Sequence, residues 1–189
     1  MTWIKRFGRE FTDPYTIKIL FFSFIIPILE YGSQVWNTFH KDQIRRIESI
    51  QKPFLLYAFR RFDWPHRFHL PKYEHRLLLL QMISLEDRRR AAQIIFILKL
   101  IKGEISSDTL LNMINFRIPS RRLRSTQFLS VHNESCNYRK FRPMNFMLTT
   151  FNDYSNARVP FTNEFIIDFN LSSNIVKKRL HELFKQLRK

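Results

Sequence analysis

Asp13-Pro14-Tyr15-Thr16-Ile17-Lys18-Ile19-Leu20-Phe21-Phe22-Ser23-Phe24-Ile25-Ile26-Pro27-Ile28-Leu29 is the stretch on which the fold turns. Asp ahead of Pro marks a helix start: a side-chain acceptor at the N-cap, then a ring at the first helical position, where a missing N–H is harmless. From Tyr15 to Leu29 the segment is apolar on every side, interrupted by Thr16, Lys18, Ser23 and Pro27. A signal sequence or membrane anchor has a similar composition. Glu10 and Asp13 upstream, Lys18 within, and a run from Ile19 to Leu29 too short for a bilayer argue against both. The reading is a helix buried on both sides, which needs two partners. Each large apolar side chain left in water forfeits about 1.5–3 kcal/mol, and a whole domain is stable by only about 5–15 kcal/mol. The isolated chain is therefore expected to be marginally stable or self-associating.

Working outward, Gly32 breaks an aromatic stretch from Glu30 to Thr38. Lys41–Phe62 has Ile44, Ile47, Ile50 or Gln51, Phe54 and Ala58 at helical spacing. Arg45, Arg46, Lys52, Arg60 and Arg61 lie mostly on its other side, and Pro53 predicts a kink or a split. Asp63–Lys72 carries two prolines and reads as a loop, followed by a short helix over Tyr73–Met82. Ser84-Leu85-Glu86-Asp87 is a capping box ahead of a second all-round apolar helix, Ala91–Ile101, the expected centre of the core. Gly103 supplies its stop. Ser107 and Asp108 start another short helix, Met144–Tyr154 reads as helical, and Asn156–Asn170 reads as a loop. Ser172 or Ser173 caps a last helix with Val176, Leu180, Leu183, Phe184 and Leu187 on one face. Short extended runs at 126–132 and 137–141 are expected to pair as a hairpin. The fold class is thus mainly α, a helical bundle-like arrangement with one short β-hairpin around 126–141. A helical region over 1–115, a basic loop or hairpin over 116–143 and a C-terminal helical segment over 144–189 form one continuous, incomplete domain.

The chain has 189 residues, 44% hydrophobic, including 20 Phe, enough for a core and against wholesale disorder. Three Gly exclude a glycine-rich phosphate loop, and one Cys excludes a disulfide framework or a cysteine-based zinc finger. Lys and Arg total 32 against 16 Asp and Glu, a net charge of +16, far beyond the magnitude of about 2–8 usual for a small soluble domain. Such a field draws polyanions, nucleic acid first and an anionic membrane surface second.

Catalytic chemistry finds little footing. The seven Asp are scattered with no Asp-Asp pair, where a polymerase or nuclease needs clustered carboxylates for two cations. Glu30, beside the apolar helix, reads as a structural acid. His66, His69 and His75 have no third type of metal ligand near them, Cys136 with His132 reads as a bystander thiol, and no metal or cofactor is expected. Two glycosylation sequons read as chance matches, since no secretory signal is seen; an intracellular location, cytoplasmic or nuclear, is expected. The basic stretches carry more weight. Arg121, Arg122 and Arg124 beside Phe128, then Tyr138, Arg139, Lys140, Phe141 and Arg142, interleave cations with rings, as in surfaces that hold phosphates and stack bases. The segment 115–143 alone is +6 and the last helix +5.

The string Leu29-Glu30-Tyr31-Gly32-Ser33-Gln34-Val35-Trp36 resembles the region just after the catalytic palm in reverse transcriptases of non-LTR retrotransposons of the Jockey and I-element kind in insects. Asp13-Pro14-Tyr15-Thr16 leads in, and Arg45-Arg46-Ile47-Glu48-Ser49-Ile50-Gln51-Lys52 follows. Tyr73-Glu74-His75-Arg76-Leu77, Ser84-Leu85-Glu86-Asp87-Arg88-Arg89, Leu98-Lys99-Leu100-Ile101-Lys102-Gly103-Glu104-Ile105, Asn137-Tyr138 and Asp168-Phe169-Asn170 extend it. The likeness runs from about Trp3 to Leu187 and rests on order and spacing. Pro53, His75 and Arg139 depart from the family's usual residues.

The resemblance implies the thumb and C-terminal extension of an RNA-directed DNA polymerase, beginning inside or just past the palm. The metal-binding aspartates and the endonuclease are absent from these residues. It further implies that the apolar helix packs on a palm and fingers module and that the region grips template–primer nucleic acid, RNA–DNA duplex or RNA. The expected function is a non-catalytic, nucleic-acid-binding fragment. Arg45, Arg46, Lys52, Arg60, Arg61, Arg117, Arg121, Arg122, Arg124, Arg139, Lys140 and Arg142 are the expected phosphate contacts. The alternatives are a decayed transposon relic with no selected activity and a basic amphipathic module at a membrane surface, led by the last helix, without stable insertion.

Overall fold

The computed structural model describes residues 6, 8–11, 13–37, 40–61, 71–116, 128–131, 142–155 and 166–187. The architecture is mainly α-helical with one two-stranded antiparallel sheet. The chain divides into two compact units, Met1–Ser33 with Thr38–Arg88 and Phe184–Lys189, and Gln34–Asn37 with Arg89–Leu183.

The first unit opens with α1, Pro14–Leu20. Asp13 Oδ2 accepts from the Thr16 backbone N–H at 3.1 Å and from its hydroxyl at 3.2 Å, the expected N-cap. A π turn over Phe21–Ile25 leads into α2, Ile26–Glu30. Pro27 has no N–H for the carbonyl four residues back, and the backbone widens there: Ile26 N–H bonds the Phe21 carbonyl, five back. This turn sets the register of both faces. Ile17, Phe21 and Ile26, spaced by four and then five, are all buried, whereas an uninterrupted α-helix turns residues nine apart by about 180°. Tyr15, Ile19, Phe24 and Ile28, spaced four, five and four, are all exposed. The helix is therefore buried on one side only, not on both as its composition suggests.

The inward stripe meets α4, Lys41–Arg61; a short α3, Ser33–Trp36, precedes it. Phe21 stacks on Phe54, ring centroids 4.0 Å apart and planes 17° apart, amid Leu55, Ala58 and Leu77. α4 is not split at Pro53. The ring lies on the exposed side of the helix, so the Ser49 carbonyl that loses a partner is open to water. α5, Tyr73–Leu79, ends in a Schellman arrangement: Met82 N–H reaches the Leu77 carbonyl at 2.8 Å and Gln81 N–H the Leu78 carbonyl at 2.9 Å. Gln81, not glycine, holds the left-handed position, with φ +50°.

A buried polar cluster ties α4 to the start of α6, Leu85–Ile101. Gln51 Nε2 donates to the Ile83 carbonyl at 3.0 Å, and its Oε1 accepts from Leu85 N–H at 3.1 Å, with the Tyr73 hydroxyl oxygen 3.2 Å away. The same hydroxyl donates to Glu48 Oε1. Ser84 and Asp87 form the expected box, Ser84 Oγ accepting from Asp87 N–H at 3.1 Å and donating to its carboxylate at 2.7 Å. Glu30 is indeed a structural acid: Arg88 grips it with Nε and, at 2.9 Å, Nη2, its guanidinium over the Phe22 ring.

In the second unit α6 buries Ala91, Ile94, Ile97, Leu98 and Leu100. Gly103, φ +73°, closes it with Gly103 N–H to Leu100 and Glu104 N–H to Lys99. Ser173 Oγ donates to Glu104 at 2.7 Å. After α7, Asp108–Leu111, β1, Ile114–Phe116, pairs with β2, Leu129–Val131, antiparallel, Asn115 opposite Ser130. The sequence placed a strand at 129–131 correctly and gave it a different partner; 137–141 lies outside the described residues. From α8, Arg142–Ser155, Asn152 supplies what a further strand would: Oδ1 accepts from Phe128 and Leu129 N–H at 3.1 and 3.0 Å, and Nδ2 donates to the Leu129 carbonyl at 2.7 Å. α9, Ser173–Gln186, buries Val176, Leu180, Leu183 and Phe184 of the stripe its sequence marks out, while Leu187, just past its end, is exposed.

Candidate nucleic-acid interface

α4 sorts its side chains by sign as well as by polarity. Its period buries Gln51, Phe54, Leu55, Ala58 and Phe59 and also Glu48, one of its two acids. Lys41, Arg45, Arg46, Lys52 and Arg60 are exposed. Arg45 and Arg60 stand fifteen residues apart, about 22 Å along the axis at 1.5 Å per residue. The other acid, Asp42, lies 3.4 Å from Arg45 with both side chains more than 70% exposed, a pairing worth about 0–1 kcal/mol and screened by salt. The cationic face is thus barely offset. At its centre Lys52 Nζ lies 5.5 Å from the Tyr73 ring centroid, so the ammonium is held at the surface by a ring that is itself anchored to Glu48 and Gln51.

Four of the twelve expected phosphate contacts, Arg45, Arg46, Lys52 and Arg60, are brought onto this face. Arg61 belongs to the same helix and Arg142 to α8. Arg117, Arg121, Arg122, Arg124, Arg139 and Lys140 lie outside the described residues, as do His66, His69, His132 and Cys136. Among the described residues no group of three His, Cys, Asp or Glu is placed to hold a metal ion.

Two further exposed cations, Lys177 and Lys178 on α9, were absent from the expected contacts. Their signal was present in the +5 charge of the last helix, opposite its apolar stripe. That stripe bears on the membrane-surface alternative as well. An amphipathic helix binds a bilayer through its apolar face, and on α9 Val176, Leu180, Leu183 and Phe184 are already buried in the chain. Among the described residues no helix is long and apolar enough to cross a membrane.

Lys18 behaves differently from the α4 cations. Its Nζ donates to the Leu80 carbonyl at 2.8 Å and the Gln81 carbonyl at 3.3 Å, over the rings of Tyr15 and Phe22. Burial lowers its pKa from the usual lysine value of 10.5, and the charge of Lys185 lowers it further. It caps α5 rather than facing a ligand.

Comparison with protein-family models, curated proteins and solved structures finds no match to this chain.

Proposed function

We propose that this chain is a non-catalytic, nucleic-acid-binding fragment of a non-LTR retrotransposon reverse transcriptase, its post-palm thumb region, which grips template–primer duplex along the outward face of α4. The observation that supports this most directly is that face: Arg45, Arg46, Lys52 and Arg60 exposed over about 22 Å of one helix, with Glu48 withdrawn into the interior. Phosphate contacts of this kind set affinity and register without reading sequence. The palm and fingers module is the neighbour this reading implies, and the retrotransposon origin rests on the sequence resemblance alone.

The test is the salt dependence of binding to an RNA–DNA hybrid. Each phosphate contact contributes about −0.9 to the slope of log K against log salt. Replacing Arg45, Arg46, Lys52 and Arg60 together by Gln is expected to flatten that slope by about 3–4 while the far-UV circular dichroism is retained. An affinity indifferent to salt, or a slope unchanged by the four replacements, overturns the reading.

A further inference from the structure

The outward stripe of the first helix poses a separate question. Tyr15, Ile19, Phe24 and Ile28 are neighbours at the spacing the π turn imposes, and Tyr31 follows at the end of α2. All five are 50–85% exposed. At about 150–250 Å² for an aromatic side chain and less for isoleucine, they offer on the order of 500 Å² of apolar surface. That is the size of the largest, often functional, patch of an ordinary monomer, about 300–600 Å², and matches the smaller of specific interfaces rather than the roughly 800 Å² each partner brings to a standard one.

Charge narrows the choice of occupant. The chain carries +16, so two copies repel one another wherever their cations would meet. The helix that carries the stripe adds almost no charge of its own, although Lys185 lies near enough to act on Lys18. Between Pro14 and Leu29 the only charged residue is Lys18, and its ammonium is turned onto the Leu80 and Gln81 carbonyls. The charge ending the segment, Glu30, is held by Arg88. A two-fold contact sets each residue of a patch against the same patch of its mate; an uncharged apolar row is self-complementary in that arrangement, and a basic face is not.

We infer that this stripe is a homodimer interface, occupied by the same stripe of a second copy of the chain. The inference does not rest on nucleic-acid binding by α4, gives the stripe a different occupant from the palm that the resemblance implies, and responds to salt with the opposite sign. Salt screens the repulsion between the two cationic bodies and tightens the dimer, whereas it weakens phosphate binding.

Sedimentation velocity on the full chain tests this, at about 0.1 M and about 1 M salt, where the screening length falls from about 10 Å to about 3 Å. The expected result is a species of twice the 23.2 kDa chain mass that dissociates less readily at the higher salt. Ile28→Glu is expected to weaken it at least about tenfold, since symmetry introduces the charge twice. Ile19→Glu is the second variant should Ile28→Glu lose its helical circular dichroism. Leu111→Glu, an exposed position of α7 off the stripe, is expected to leave the mass unchanged. A monomer at both salt concentrations overturns the inference and leaves the stripe to a different module, such as a palm. A dimer insensitive to both stripe variants, or equally lost with Leu111→Glu, overturns it too.

Discussion

The helix from Pro14 to Glu30 and α4 meet ring to ring at Phe21 and Phe54, yet their outward faces have nothing in common. One shows Tyr15, Ile19, Phe24 and Ile28; the other shows Arg45, Arg46, Lys52 and Arg60. The difference teaches that burial in this unit is set by the inward stripes, wholly apolar on the first helix and apolar with Glu48 and Gln51 added on α4. The outward faces are exposed and carry opposite chemistry. The two helices also treat cations oppositely: the first folds its single lysine back onto backbone carbonyls, and α4 holds Lys41, Arg45, Arg46, Lys52 and Arg60 exposed.

The most forceful way to break this comparison is at the shared contact. Phe21→Ala and Phe54→Ala each remove a fully buried ring and are expected to cost about 3–5 kcal/mol by urea unfolding. The double variant should cost less than the two together by about 0.5–1.5 kcal/mol, the coupling expected of stacked rings. Additive losses would mean that the helices are stabilised separately, and that neither inward stripe depends on the other.

A smaller effect sharpens the contrast from the α5 side. Gln81 occupies a left-handed backbone position in which a Cβ is unfavourable. It is exposed, and Lys18 approaches only its carbonyl, so Gln81→Gly keeps every described bond. The expected outcome is a stabilisation of about 0.5–1 kcal/mol, read as a raised urea midpoint with an unchanged slope.

How much of this was readable in the amino-acid order depends on the range of the interaction involved. Asp13, the Ser84–Asp87 box and Gly103 are local devices, each closing hydrogen bonds within a few residues, and each stands where its residue type indicates. The α4 face was legible for the same reason, because a 3.6-residue period needs no knowledge of tertiary contacts. The π turn was not: Pro27 announces a disturbance, but only packing against Phe54 shows that the helix widens to keep Ile26 with Phe21. Composition therefore gave burial all round where the fold buries one stripe. Gln81 carries no turn signature, and its left-handed backbone follows from the chain having to reverse between Leu77 and the Gln51 anchor at Ile83. The upstream strand that pairs with β2 was not marked by the sequence, and 137–141, its expected partner, lies outside the described residues. Ile114–Phe116 lies upstream, and Asn152 comes from a helix.

The finest test of the contrast is Lys18 itself. Lys18→Met keeps an unbranched stem along Tyr15 and Phe22 but removes the ammonium from the end of α5. Near neutral pH the contact with the end of α5, usually worth about 0.3–1 kcal/mol, is opposed by the burial of the ammonium, so the net change expected there is small. The alkaline behaviour of Lys18 gives a second readout. Burial first, and then Lys185, hold its pKa below the 10.5 of the unfolded chain. Between the lowered value and 10.5 the unfolded state binds more protons than the folded one, so this group makes stability rise with pH across that window. Below the window both states are charged, and the fold bears the cost of keeping the ammonium partly out of water. In Lys18→Met that rise should be absent, so stability curves of the two proteins should separate progressively toward pH 10.5, the wild type gaining. Parallel curves would mean that the Lys18 ammonium is not held out of water by the fold, and its assignment as a buried cap of α5 would fall.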